Sequence, residues 1–213
     1  VELGFDGIDI NMGCPDKTIE KQGAGAAMMK NPKLAREVIR AAKRGAGNLP
    51  VSVKTRVGFN KVELETWLPE ILAEEPAVIT IHARTRKEMS KVPARWEHVK
   101  RAVEIRNELK SNTLIFGNGD VMNIEDARVK ATETGADGIM LGRAIFGNPW
   151  LFSERDQKTI TIQERLTVLV ELSELFDELL GGVKNFAIMK KHFKAFVHGW
   201  DGAKELRIRL MDA

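Results

Sequence analysis

One cysteine, Cys14, stands in 213 residues. A lone thiol rules out an internal disulfide framework and any zinc site built on several cysteines. No run of about 18 apolar residues occurs, so no membrane-spanning helix is expected. No charged-then-apolar secretory leader opens the sequence, and a cytoplasmic chain without a bound metal is expected. Excess charge of one sign is also scarce. Lys and Arg number 33 against 30 Asp and Glu, a formal +3, too slight to announce a nucleic-acid partner by itself. The 43% hydrophobic and 30% charged composition is ordinary, which excludes wholesale disorder and fibrous classes.

Five short apolar runs bounded by Gly, Pro or polar turns read as strands: 7–11, 51–56, 78–82, 114–117 and 138–141. Amphipathic stretches at 33–44, 62–72, 96–109 and 124–134 separate them, with apolar residues such as Leu34, Val38, Ile39 and Ala42 at helical spacing. Asn31-Pro32 and Asn123 read as helix starts, Gly45 and Gly135 as stops. Strands alternating with helices imply parallel βαβ units. The runs read as apolar on both faces, as strands covered on both sides should be. After Asn148-Pro149 the strand signals cease, and helices are expected over 162–180, 185–198 and 203–211.

The small net charge hides local imbalance. Residues 151–183 carry 3 basic and 7 acidic side chains, and residues 184–213 carry 7 basic and 3 acidic. Arg84, Arg86, Lys87, Lys91 and Arg95 form a second basic cluster, with Glu88 among them. Either cluster taken alone reads as a solvated face.

Glycine placement separates an open doubly wound sheet from a barrel. The first strand ends in Asn11-Met12-Gly13-Cys14-Pro15, not in G-x-G-x-x-G. The glycine turns suited to phosphate follow the last two strands, at Gly117-Asn118-Gly119-Asp120 and Gly142-Arg143. Phosphate sites after strands seven and eight are a recurrent feature of (β/α)8 barrels. The five strands therefore read as strands 4 to 8 of a TIM barrel, with three expected upstream of Val1.

Barrel chemistry sits at the C-terminal ends of strands. Those ends deliver Asn11 and Cys14, Lys54 and Arg56, His82 and Arg84, Asn118 and Asp120, then Gly142 and Arg143. Singly each has a bland reading: a packed thiol, a core histidine, a tight turn. Backbone N–H groups near Gly119 and Gly142, with Arg143, suit a phosphate. A lysine deeper in the barrel then faces the far end of a phosphorylated cofactor. If that cofactor is a flavin, the cation stabilises the reduced ring. A thiol of ordinary pKa, about 8.5, is protonated at neutral pH and suits proton donation.

The set Asp9–Pro15, Gly23-Ala24-Gly25-Ala26, Val53–Gly58, His82–Thr85, Gly117–Asp120, Met140–Arg143 and Gly147–Trp150 resembles the tRNA-dihydrouridine synthases in order and spacing. A weaker likeness to their helical RNA-binding domain continues through Met189–His192, Phe196–Gly199 and Leu206-Arg207. The resemblance implies an FMN-bound barrel that reduces the 5,6 double bond of particular uridines in tRNA, with NADPH as reductant. It implies Cys14 as the acid that protonates C5, with hydride passing from reduced flavin to C6. Lys54, His82, Asn118, Gly119, Asp120, Gly142 and Arg143 are implied cofactor contacts. Asn11 is implied to place uracil or flavin, and Arg84, Arg86, Lys190, Lys191 and Arg207 to meet tRNA. The family's flavin contacts from its first and third strands have no counterpart in this sequence. The chain is therefore expected to be a monomeric fragment: residues 1–157 as the later part of the barrel, 158–213 as an incomplete helical tRNA-binding domain. Two other readings remain. One is a different FMN-dependent barrel oxidoreductase acting on a small molecule, and the other a non-catalytic tRNA-binding remnant.

Overall fold

Five parallel strands form one sheet: β1 (Ile8–Asn11), β2 (Val51–Arg56), β3 (Val78–His82), β4 (Leu114–Asn118) and β5 (Gly138–Met140). The computed structural model describes residues 3–153 and 155–212. Val1, where the upstream strands were expected to join, lies outside them. Strand order follows chain order, β1-β2-β3-β4-β5. No strand order reverses among the described residues, so the sheet has no topological switch point of the doubly wound kind.

The helices between strands are α1 (Lys17–Lys21), α2 (Pro32–Ala46), α3 (Leu64–Leu72), α4 (Glu97–Glu108) and α5 (Ile124–Thr134). Their ends follow side-chain chemistry. Asn31 caps α2 by accepting from Leu34 N–H at 3.2 Å, with Pro32 in the first turn. Asn123 caps α5 by accepting from Asp126 N–H at 2.8 Å, and Gly135 closes it in the left-handed region. Gly45 does not stop α2 as expected. The helix runs through it to Ala46, and Gly47, at φ 62°, is the cap.

The strands were expected to be apolar on both faces, and only one face is uniformly so. Residues alternate in a strand, and here the two faces differ in kind. Val53, Ile79, Ile81 and Ile115, with Ile10 and Ile139 beside them, join Ile39, Leu68, Ile71 and Val99 in the core beneath the helices. The opposite face is mixed: Asp9, Asn11, Ser52, Lys54, Arg56, Thr80, His82 and Asn118 share it with Val78, Leu114, Phe116 and Met140. Register places Asn11 beside Lys54 and aligns Arg56, His82, Asn118 and Met140 in one row. In VSVKTR, Val51, Val53 and Thr55 take one face and Ser52, Lys54 and Arg56 the other, an alternation too short to stand out from the sequence.

Contacts divide the chain into two compact units, 1–142 and 143–213. The boundary expected after residue 157 falls inside the second unit. There α6 (Ile162–Leu180) opens with a Thr161–Glu164 capping box. The helix expected over 185–198 is a 3-10 turn, Phe186–Met189, leading into α7 (Lys190–Phe196). With α8 (Ala203–Asp212), these elements enclose a core of Leu169, Met189, Phe193, Phe196 and Val197.

Candidate active site

The loop that bears Cys14 is tied down residue by residue. Asn11 Oδ1 accepts from Gly13 N–H at 3.1 Å and from Cys14 N–H at 3.0 Å. Thr55 Oγ1 donates to Met12 O at 3.3 Å, and Trp67 Nε1 in α3 donates to Thr55 Oγ1 at 3.0 Å. Arg56 Nε donates to Gly13 O at 2.8 Å. Ala26 N–H donates to Cys14 O at 2.9 Å. Gly25, at φ +59°, lies so close that a Cβ there would sit 2.8 Å from Cys14 O. The thiol itself is half-buried. Asn11 was read as a contact for uracil or flavin; in the structure its side-chain oxygen shapes the Cys14 loop.

Beside this loop stand two titratable groups on the mixed face. Lys54 is half-buried, and its ammonium has no hydrogen bond or ion pair among the described residues. Burial, and then the charge of Arg56, hold its ammonium below the ordinary lysine pKa, while Asp9 works the other way. His82 is pushed down to about 3, first by burial and then by the positive charges of Arg56, Lys54 and Arg84. Its Nε2 lies 3.1 Å from Arg84 Nη1. Guanidinium only donates, so Nε2 accepts, the ring is neutral and the proton sits on Nδ1.

The turn after β4 is built around Gly119, at φ +128°, where a Cβ would meet Ala94 Cβ at 2.8 Å and His82 Cδ2 at 3.2 Å. Gly119 is buried, and its carbonyl accepts from Trp96 Nε1 at 3.1 Å. Asn118 donates its amide to Met140 O at 2.8 Å. Asp120 Oδ2 accepts from Arg84 and from Ala94 N–H at 2.8 Å. Both side chains therefore brace the turn itself. Gly142 is exposed, and an added Cβ there would meet nothing within 4 Å. Arg143 is exposed and begins the second unit with a 3-10 turn, Arg143–Ile145.

The residues expected to meet tRNA fare differently. Arg84 is 3% exposed and bonds Val92 O at 2.6 Å, His82 and Asp120, which leaves its guanidinium little surface to offer a phosphate. Arg86 pairs with Glu20 and lies 5.0 Å over the Phe59 ring. Lys190 donates to Met211 O at 2.6 Å, and Arg207 to Val197 O at 2.7 Å. Lys191 is exposed. Arg165 was not foreseen. It reaches His198 Nε2 at 3.0 Å, lies 5.3 Å over the Trp200 ring, and lines a cavity with His198, Gln157 and Trp150. Thr55 and Gly25, which support the Cys14 loop, were read only as parts of motifs, and Arg56 only as a strand-end group, because their tie to that loop is visible only in the fold.

An α/β protein with a sequentially ordered parallel sheet, a mixed face and a tethered cysteine at the strand ends is the class defined so far. The family model for dihydrouridine synthases matches residues 1–213, and the chain belongs to that family. It is 41% identical over 213 residues to a probable tRNA-dihydrouridine synthase of Staphylococcus aureus (strain MRSA252), covering 99% of this chain and 64% of that protein. It is 42% identical to probable tRNA-dihydrouridine synthase 2 of Bacillus subtilis (strain 168), covering 65% of it. The chain thus spans less than two thirds of the length of these relatives. Among solved structures, a triclinic crystal form of 2,3-dimethylmalate lyase aligns with a TM-score of 0.51 at 12% identity, covering 98% of this chain and 88% of that one. That likeness concerns the fold alone.

Proposed function

We propose that the protein reduces uridine in tRNA to dihydrouridine, with Cys14 as the proton donor. The observation that carries this reading is the tethering of the Cys14 loop at the strand ends beside Lys54 and His82, in a chain of the dihydrouridine synthase family. The architecture proposed is a (β/α)8 barrel of which residues 1–157 supply strands four to eight, followed by a helical tRNA-binding domain over 158–213. The sequential parallel order of the five strands supports it. The protein is proposed to act in the cytoplasm as a monomer.

The residues present fit a phosphorylated flavin. A buried glycine turn with no room for a side chain suits the close approach of a phosphate oxygen. A half-buried ammonium without a partner suits an electron-rich ring edge, and a neutral histidine offers an N–H donor. FMN is accordingly proposed to be held by Lys54, His82, Asn118, Gly119, Asp120 and Gly142, with Asn118 and Asp120 acting through the turn they brace. When bound, it supplies hydride to uracil C6, with NADPH as the proposed source of electrons.

The chain's own part is proton delivery and placement. Cys14 Sγ holds the proton passed to C5, and Asn11 fixes the loop and is proposed to help place the base. A stacked uridine reaches such a rim only if turned out of the tRNA. Lys191 in the second unit, with Lys190 and Arg207 of the same unit, is proposed to meet tRNA phosphates, and Arg86 is proposed as a separate contact from the first unit.

The test is the full-length enzyme carrying Cys14→Ala, assayed for dihydrouridine in unmodified tRNA. The expected outcome is a loss of about 100-fold or more in rate, with tRNA binding retained. Near-normal product would remove the thiol from the acid's part.

A further inference from the structure

Two loops meet at one buried side chain. Arg56, 7% exposed at the end of β2, donates Nε to Gly13 O at 2.8 Å. Its Nη1 donates to Thr85 O and to Met89 O, each at 3.2 Å. Gly13 immediately precedes Cys14. Thr85 and Met89 bracket the turn that carries Arg86 and Lys87, in the basic segment after β3. The planar fork of a guanidinium lets one side chain hold both loops at once.

Its company is unusual for a stabilising contact. All three acceptors are backbone carbonyls, and no carboxylate pairs with Arg56 among the described residues. Glu88 is near enough to be felt, but it accepts from Thr85 N–H at 2.7 Å and pairs with Arg95 at 2.7 Å. A buried cation with hydrogen bonds but no ion pair is an expensive strut. A neutral side chain, or one paired with an acid, would brace the loops at lower cost. What Arg56 has that they lack is a rigid fork reaching two loops from the mixed face.

We propose that Arg56 is a positioning residue. It fixes the Cys14 loop against the segment 84–91, so that the proton donor and the cationic turn beside it keep one register. The inference rests on the reading of Cys14 as proton donor, but its test does not depend on that reading alone.

The experiment uses the full-length enzyme with Arg56→Lys and Arg56→Ala. Lysine keeps the charge and loses the fork. Both variants are expected to lower kcat for dihydrouridine formation by about tenfold or more, as misplacement of a reacting group does. KM for tRNA is expected to move by less than about threefold. Guanidinium ion, but not urea, is expected to restore part of the kcat of Arg56→Ala by refilling the site. A second readout needs no catalysis: the rate of Cys14 alkylation by iodoacetamide at one pH, mapped by peptide mass. It is expected to change about threefold or more in both variants, and to return toward wild type with guanidinium in Arg56→Ala. Wild-type kcat in Arg56→Lys, a loss confined to KM, or unchanged alkylation in both variants would overturn the proposal. If Cys14→Ala remains active, the thiol's part as acid falls, while altered alkylation still reports that Arg56 sets the loop.

Discussion

His82 shows how much one residue's surroundings decide. Sequence placed it at a strand end, and the structure adds three positive charges around a half-buried ring. Its folded pKa, about 3, lies below the ordinary value of 6.5. Between those values the unfolded chain binds a proton that the folded chain refuses. Its contribution is complete above about pH 6.5 and is lost as pH falls toward 3. His98, His192 and His198 are shifted the same way, chiefly by burial. Thermal stability is therefore expected to fall from pH 7 to pH 5, and His82→Gln to fall less steeply; calorimetry across that range checks both. Arg84 teaches the opposite lesson. Its place in a basic cluster suggested a surface contact, but charge counts carry no burial. Only the fold brings Asp120 to it from 36 residues away.

At the scale of elements, strand positions were legible because each run is bounded by turns, and α5 was legible to the residue at both caps. The faces were not. Alternation over four to six residues is short, and threonine and isoleucine obscure it. The split of the expected helix at 185–198 was hidden because Asn185 caps a 3-10 turn first. The Gly23–Ala26 motif acquires a physical reason only in three dimensions, where the 3-10 helix Gly25–Lys30 starts against the Cys14 loop. Gly25→Ala is expected to strain the left-handed backbone and press on Cys14 O. A stability loss of about 1–3 kcal/mol and a fall in dihydrouridine formation of about tenfold or more are expected. Denaturant titration and the tRNA assay measure the two separately.

For the molecule as a whole, the slight net charge conceals an acidic stretch, 151–183, and a basic one, 184–213, both inside the second unit. The basic tail was legible by counting; which of its cations are available was not. Lys190 and Arg207 already satisfy backbone carbonyls, whereas Lys191 is exposed. Lys191→Gln is thus expected to weaken tRNA binding more than Lys190→Gln. It should also reduce the slope of log affinity against log salt by about 0.7–0.9, the loss of one phosphate contact. Filter binding across a salt series tests it, and equal slopes for wild type and variant would leave the tail as a solvated face.

The bond from Trp67 to Thr55, and from Thr55 on to Met12, gives the Cys14 loop an optical reporter. The indole is 2% exposed and donates to a hydroxyl that itself holds the loop. Any displacement of residues 11–15 alters the polarity felt by that ring, and with it the wavelength and yield of its emission. In a full-length enzyme, Arg56→Ala is expected to shift the tryptophan spectrum. The shift should vanish in a Trp67→Phe background, so steady-state fluorescence would follow the loop without substrate or turnover.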